Sequence, residues 1–167
     1  MSFDVIGFGA LNLDRLYRVN RISCRGEENY IIGVTESAGG SAANTVVGLA
    51  RLGLKVGYLG KVANDREGKI LLEDFEREGV DTQGIIVSRK GRSGVTLGFV
   101  DRSGERALYV DPGVNDTLEF KEINLEYVSK AKIIHLTSFV GEKPFKAQMK
   151  LLEELPDVEV TLDPGLL

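Results

Sequence analysis

Ala38-Gly39-Gly40-Ser41-Ala42-Ala43-Asn44-Thr45 is the stretch on which the reading of the fold turns. Two glycines stand directly before apolar residues at helical spacing, Ala43, Val46, Val47 and Ala50. A helix is therefore expected from about Ala42 to Leu52, stopped by Gly53. Without a Cβ, paired glycines let backbone N–H groups approach a ligand closely. The unpaired N–H groups of a helix's first turn attract hydroxyl, phosphate or carboxylate oxygens. Asn44, in that turn, adds a side chain that both donates and accepts. An ordinary loop capping an amphipathic helix would show the same residues, so the remainder of the chain must decide whether a pocket covers this corner.

Upstream, Phe3 to Phe8 reads as a buried strand running into Gly7-Phe8-Gly9. Asn12 and Asp14 follow two residues apart, a spacing that puts both on one face of an extended segment. Such a pair suits hydroxyl recognition, and it also suits a plain turn. Leu16–Val19 and Tyr30–Thr35 read as strands, joined by a polar loop. Downstream come a strand over Lys55–Val62 and a helix to about Glu78 with Asp65 as its N-cap. A short strand over 84–88 and a hairpin over 93–110 about Asp101-Arg102-Ser103-Gly104 follow. Next are turn residues from Asp111 to Asp116, a polar helical stretch and a strand over Lys132–Leu136. A helix with Pro144 in its first turn and a strand over Glu159–Leu162 end the chain at Asp163-Pro164-Gly165-Leu166-Leu167.

Strands alternating with helices imply an α/β fold of three layers, a mainly parallel sheet with helices on both faces. The hairpin-rich pieces break that alternation and are expected to form a small β-sheet lid. The expected division is a core of residues 1–13, 37–92 and 111–167, with a lid of 14–36 and 93–110. Ligands of such sheets bind beyond the C-terminal ends of the strands, where Asn12, Asp14 and Thr137-Ser138 fall. The 167 residues suffice for a real core, and the net charge of −4 offers no broad basic footprint for nucleic acid. Single Cys24 and single His135 exclude an intramolecular disulfide and a cysteine or multi-histidine metal site. Cys24 reads as a loop residue and His135 as a satisfied core histidine. No basic leader and no bilayer-length apolar window is found, so a cytoplasmic protein without a membrane partner is expected.

Taken together, the ordered motifs resemble the N-terminal part of a carbohydrate kinase of the ribokinase family, which includes sugar and nucleoside kinases. The resemblance is carried by Gly9-Ala10-Leu11-Asn12-Leu13-Asp14 and by Gly39-Gly40-Ser41-Ala42-Ala43-Asn44, which resembles the family's first signature. Leu52-Gly53, Asn64-Asp65 to Gly68, Gly113-Val114-Asn115 and Asp163-Pro164 follow in the family's order. The resemblance implies that Asn12 and Asp14 bind sugar hydroxyls and that Gly39, Gly40, Ser41 and Asn44 line the same pocket. Asn115 would reach it from the lid side. Thr137 stands where some sugar kinases carry a substrate-contacting glutamate, which argues against ribose itself. The lid would close over the acceptor and make a homodimer contact.

The resemblance also implies ATP or ADP as phosphoryl donor, with Mg²⁺. The family's second glycine-rich signature, which ends in the aspartate general base, is not among these residues. The expectation is therefore a fragment or a truncated reading frame that holds the acceptor side and is inactive alone. Two other readings remain open at this stage. One is a non-catalytic sugar-binding or β-lid dimerisation module. The other is a dinucleotide-binding domain, since Gly7-Phe8-Gly9 begins like a Rossmann fingerprint, although Asn12 stands where its third glycine belongs.

Overall fold

In the computed structural model, which describes residues 2–155 and 157–165, five parallel strands run in the order β5-β4-β1-β8-β9. They are β1 (Phe3–Phe8), β4 (Val56–Ala63), β5 (Ile85–Ser88), β8 (Ala131–Thr137) and β9 (Glu159–Asp163). Leu166 and Leu167, the end of the expected final turn, lie outside the described residues. Strand β1 is central and carries apolar residues on both faces because helices cover both. Helix α1 (Ser41–Arg51) and helix α2 (Arg66–Arg77) cover one face, burying Ala42, Ala43, Val46, Leu71 and Phe75 against Val5, Val56, Tyr58 and Val62. On the other face, α3 (Leu125–Val128) and α4 (Glu142–Glu154) bury Val128, Ala147 and Leu151 against Ile6, Phe8, Ile134 and Leu136. Each of the Val, Leu, Ile and Phe side chains among them contributes on the order of 1.5–3 kcal/mol when fully buried.

The sequence places these elements to within a residue or two, with one exception. The helical stretch expected before β8 is a pair of 3-10 turns, Gly113–Thr117 and Phe120–Glu122, followed by the single turn of α3. Leu118, Ile123, Tyr127 and Val128 are all buried in it. That spacing matches no single helical stripe, so the chain bends repeatedly to press each residue onto the sheet.

The second sheet has four strands in the order β3-β2-β6-β7: β2 (Asn12–Val19), β3 (Ile31–Gly39), β6 (Gly94–Val100) and β7 (Arg106–Asp111). Its ladders extend past the expected ends, taking in Asn12 opposite Gly39 and Asp111 opposite Val95. A strand, β2, therefore follows β1. A dinucleotide fingerprint needs a helix there, so that reading fails. Gly7 and Gly9 have a packing role instead: a Cβ on Gly7 would press Val46 of α1, and one on Gly9 would overlap Thr137 and Ala42.

Two polar ties hold the small sheet to the core. Asp65 caps α2 through Gly68 N–H (2.8 Å), and the same carboxylate accepts from the backbone N–H and the hydroxyl of Ser93 (2.7 Å each). Buried Ser93 in turn accepts the Ala63 N–H at 2.9 Å. Farther out, Arg15 on β2 pairs with Glu36 on β3 (2.8 Å) and Glu67 on α2 (2.5 Å), while Arg66 pairs with Glu36 (2.6 Å). Arg66 and Arg15 together hold the Glu36 carboxyl down at about 2.

Asp65→Ala is expected to destabilise the chain by about 2 kcal/mol, from a lost cap and buried donors left unpaired. Urea unfolding checks this, and a loss under about 0.5 kcal/mol would contradict the tie. Because the Glu36 value is depressed in the fold, its contribution is full above the ordinary 4.5 and is lost as pH falls toward about 2. Glu36→Gln should therefore flatten the pH dependence of unfolding across that window, as read by urea titrations at stepped pH.

Candidate functional site

Where β3 meets α1, the backbone turns through Gly40 at φ 123°, a conformation that side-chain-bearing residues rarely adopt. A Cβ there would also overlap the carbonyl of Ala10, which accepts the buried Tyr58 hydroxyl at 3.1 Å. Gly39 is required for another reason: a Cβ on it would overlap the Asp14 carboxylate. The paired glycines thus serve close packing as well as ligand approach. No side chain caps α1, whose first intrahelical bond runs from Asn44 N–H to Gly40 C=O at 2.9 Å. The N–H groups ahead of it are left for other acceptors.

Beyond the C-terminal ends of β1, β8 and β9 lies a pocket of about 210 Å³. Asn12, Gly40, Ser41, Asn115 and Thr137 all line it. Val110 of β7 closes it from the side of the small sheet. Gly39 and Asn44 line a neighbouring cleft between β3 and the helices, so the corner has two sides, where the sequence suggests one. Asn44 is exposed on α1. Asp14 borders neither cavity. It is half-buried over Gly39, and burial raises its carboxyl above the ordinary value against an opposing hydrogen bond with Thr96.

Asn115 sits at the pocket, yet its amide is committed elsewhere. Its Oδ1 accepts the Leu11 N–H (3.1 Å), and its Nδ2 donates to the carbonyls of Leu11 and Pro112 and to Asn12 Oδ1 (3.1, 3.0 and 2.9 Å). With 1% exposure it is a bracket between two chain crossings at the pocket wall. Gly94 makes room for that amide pair, since a Cβ there would overlap both Asn12 and Asn115. Thr137 is buried at the end of β8, and its carbonyl accepts from buried Gln148 of α4 (2.9 Å).

Two carboxylates of the pocket, Asp116 and Asp163, escape the sequence reading as site residues, and Ser138, read as following a strand end, lines the pocket beside them. Asp163 ends β9 and accepts the Ser41 hydroxyl at 3.0 Å, tying the last strand to the start of α1. The Gly165 backbone N–H and the Ser41 hydroxyl hold its carboxyl below the ordinary value. Asp116 accepts the Gly141 N–H at 2.9 Å and fixes the loop before α4. The strand-end rule that exposed Asn12 also applies to Asp163, whereas only the fold brings Asp116 inward. His135 differs from the satisfied core residue expected: Nδ1 meets the Thr161 hydroxyl at 2.9 Å, while buried Nε2 has no partner among the described residues. Cys24 is an exposed loop residue, as read.

Among the described residues no helix is long and apolar enough to cross a membrane, and no group of three or more His, Cys, Asp or Glu is placed to hold a metal. No lysine or arginine lines the pocket, and two carboxylates, Asp116 and Asp163, do. These residues do not fit the phosphates of a nucleotide, whose oxygens call for cations and N–H donors.

Comparison with known proteins agrees with this architecture. An uncharacterized sugar kinase of Archaeoglobus fulgidus is 47% identical over 123 residues, covering 72% of this chain and 48% of that protein. An ATP-dependent ribose-1-phosphate kinase of Halopiger xanaduensis is 33% identical over 162 residues, 96% of this chain and 54% of that protein. The chain therefore spans about half the length of these relatives. The ribokinase structure from Thermotoga maritima superposes with a TM-score of 0.87 at 24% identity, over 97% of this chain and 52% of its own. An uncharacterized sugar kinase from Pyrococcus horikoshii, in complex with ATP, gives 0.82 at 26% identity, over 98% and 53%. The model of the pfkB family of carbohydrate kinases matches residues 3–160, and the chain belongs to that family.

Proposed function

We propose that this chain carries the acceptor side of a kinase that transfers the γ-phosphoryl group of a nucleotide, ATP or ADP with Mg²⁺, to a hydroxyl of a sugar or nucleoside. The observation that carries this reading is the pocket at the strand ends, lined by Asn12, Ser41 and Thr137 beneath the small sheet. Hydroxyls need paired donors and acceptors, and this lining supplies both. Asp14, above Gly39, becomes a further acceptor when the sheet of β2, β3, β6 and β7 moves down as a lid. Phosphoryl transfer depends on positioning and on charge stabilisation of the anionic oxygens. This chain's residues position the acceptor. Asp163, held low, is a weak proton acceptor and anchors Ser41.

The donor phosphates and the general base are proposed to be held by residues other than these, because the pocket's charge is of the wrong sign for them. The 167-residue chain should then bind acceptor without turning over. A coupled assay with ATP, ADP, sugars and nucleosides that showed turnover would overturn this. A non-catalytic sugar-binding module would show the same binding, and activity of the chain combined with the remainder of a full-length relative separates the two. The outer face of the lid supports self-association: Tyr17 stacks on Phe99 (5.3 Å), Phe99 meets Tyr109 (6.2 Å), and Ile31 and Val34 lie exposed beside them. Sedimentation at rising concentration tests a lid-mediated dimer.

Asp14 provides a two-way test. Its folded value is raised, so its stabilising effect exists below the unfolded value and is lost as pH rises through the folded one. At neutral pH the carboxylate therefore costs stability. Asp14→Asn should raise the urea midpoint at pH 7 while weakening acceptor binding by ~1.5–3 kcal/mol, the scale of a charged hydrogen bond. Unchanged acceptor affinity by calorimetry would remove Asp14 from the site.

A further inference from the structure

Asn12 and Ser41 can each give a hydrogen to a ligand or receive one, and in both cases a neighbouring side chain decides which. At Asn12 the decision starts from backbone groups. The Leu11 N–H can only donate, so the Asn115 atom 3.1 Å from it is the oxygen, Oδ1. The carbonyls of Leu11 and Pro112 can only accept, so the other prong is Nδ2. Nδ2 also donates to Asn12 at 2.9 Å, which turns the Asn12 oxygen toward Asn115. The NH₂ group of Asn12 is left as a donor at the pocket wall.

Ser41 is set the opposite way. It opens α1, and Asp163 ends β9 beside Thr137 in the strand register, so helix start and strand end meet at the pocket. The Asp163 carboxylate, held below its ordinary value, is ionised at neutral pH and can only accept. Its Oδ1 takes the Gly165 N–H and its Oδ2 takes the Ser41 hydroxyl, each at 3.0 Å. The single hydrogen of the Ser41 side chain is therefore spent. Its exposed Oγ presents lone pairs alone.

We propose that Asp163 is a positioning residue that fixes the Ser41 hydroxyl as an acceptor, so that the pocket selects a sugar with a donating hydroxyl at that point. A ketone oxygen or a fluorine there is rejected. Lone pairs facing lone pairs repel, whereas a hydroxyl turns its hydrogen between the two oxygens. A site built to bond an O–H discriminates strongly against an analogue without it, because its own polar group is left unpaired. With a donor at Asn12 and an acceptor at Ser41, the two walls ask for different groups and so orient the ring. The selection rests on the acceptor-pocket reading above and deepens it to the direction of one hydrogen bond.

Calorimetry on the 167-residue chain tests it with D-ribose, D-fructose, and the monodeoxy and monodeoxyfluoro analogues of the tighter binder. Fluorine keeps an acceptor and removes the donor. At one ring position the fluoro analogue should bind at least about tenfold more weakly than the parent, and no better than the deoxy analogue. In D163N the amide oxygen keeps the Gly165 N–H, so the amide nitrogen donates to Ser41 and frees the Ser41 hydrogen for the ligand. The parent-to-fluoro ratio at that position should then fall at least about fivefold. D163A, in which the Ser41 hydroxyl turns freely, serves if D163N unfolds in urea controls. A merely structural Asp163 would weaken parent and analogue alike, and an unchanged ratio overturns the proposal. In S41A the preference should vanish; a preference that survives S41A means another group reads the hydroxyl, which also overturns it. Fluorine tolerated at every position overturns the assigned polarity while leaving the acceptor pocket standing. Failure of both sugars to bind overturns the pocket, and the selection with it.

Discussion

The buried amide of Asn115 accepts from Leu11 N–H and shares its two hydrogens among the carbonyls of Leu11 and Pro112 and the Asn12 side chain. Leu11 and Asn12 are where the chain leaves the parallel sheet for the small one, and Pro112 is where it comes back. One side chain therefore holds an exit and a return in register. A buried amide stripped of its partners costs about 1–3 kcal/mol, so the arrangement is satisfied in full or not kept. Gly94 has no Cβ for the same reason, since any side chain there would occupy the space of this amide pair. The turn that carries Asn115 is itself held by Lys61, a buried lysine that meets both carboxylate oxygens of Glu122 (2.6 and 2.8 Å) and the Thr117 carbonyl. That pair is well placed because each lysine proton has an acceptor, the condition under which a buried charge is tolerated.

With its base fixed in this way, the small sheet differs on its two faces. Toward the pocket, glycines at 33, 39, 94 and 98 keep the surface low, leaving room for the Asp14 carboxylate and for a ligand. Away from it, Leu13 is fully buried, and Arg15 joins Glu36, Glu67 and Arg66 in a bridge to the start of α2. Exposed ion pairs of this kind contribute little to stability and are weakened by salt. The Asp65–Ser93 tie is part-buried and joins the start of α2 to the residue before β6, so it is the better shielded of the two.

The layout of elements was legible because alternation of apolar residues and glycine punctuation are local signals. Asp65 as a cap, Gly53 at φ 89° after α1 and Gly104 at φ 87° in the hairpin each follow from one residue's chemistry. The 3-10 turns before β8 were not legible, because the burial of Leu118, Ile123 and Tyr127 depends on which sheet face they meet. The same holds at the site. Asn12, Gly40, Ser41 and Thr137 could be named from strand ends and the glycine corner, and they do share one pocket. Asp116 could not, since it lies in a turn far along the chain, and no local pattern shows that the Asn115 amide brackets Leu11, Asn12 and Pro112.

By itself, then, the sequence determined an α/β chain with a parallel sheet, a second small sheet and a glycine corner before α1, through periodicities that span only a few residues. It also determined family membership, through motifs in fixed order along the chain. Tertiary structure alone decided what the glycines are for. Gly39 is small because Asp14 lies over it, and Gly40 because the Ala10 carbonyl crowds it, contacts between residues 25 or more apart. It also decided that Gly39 and Asn44 face one cavity while Ser41 and Asp163 face another. Side-chain direction at such a corner depends on how two sheets meet, and no local pattern encodes that angle.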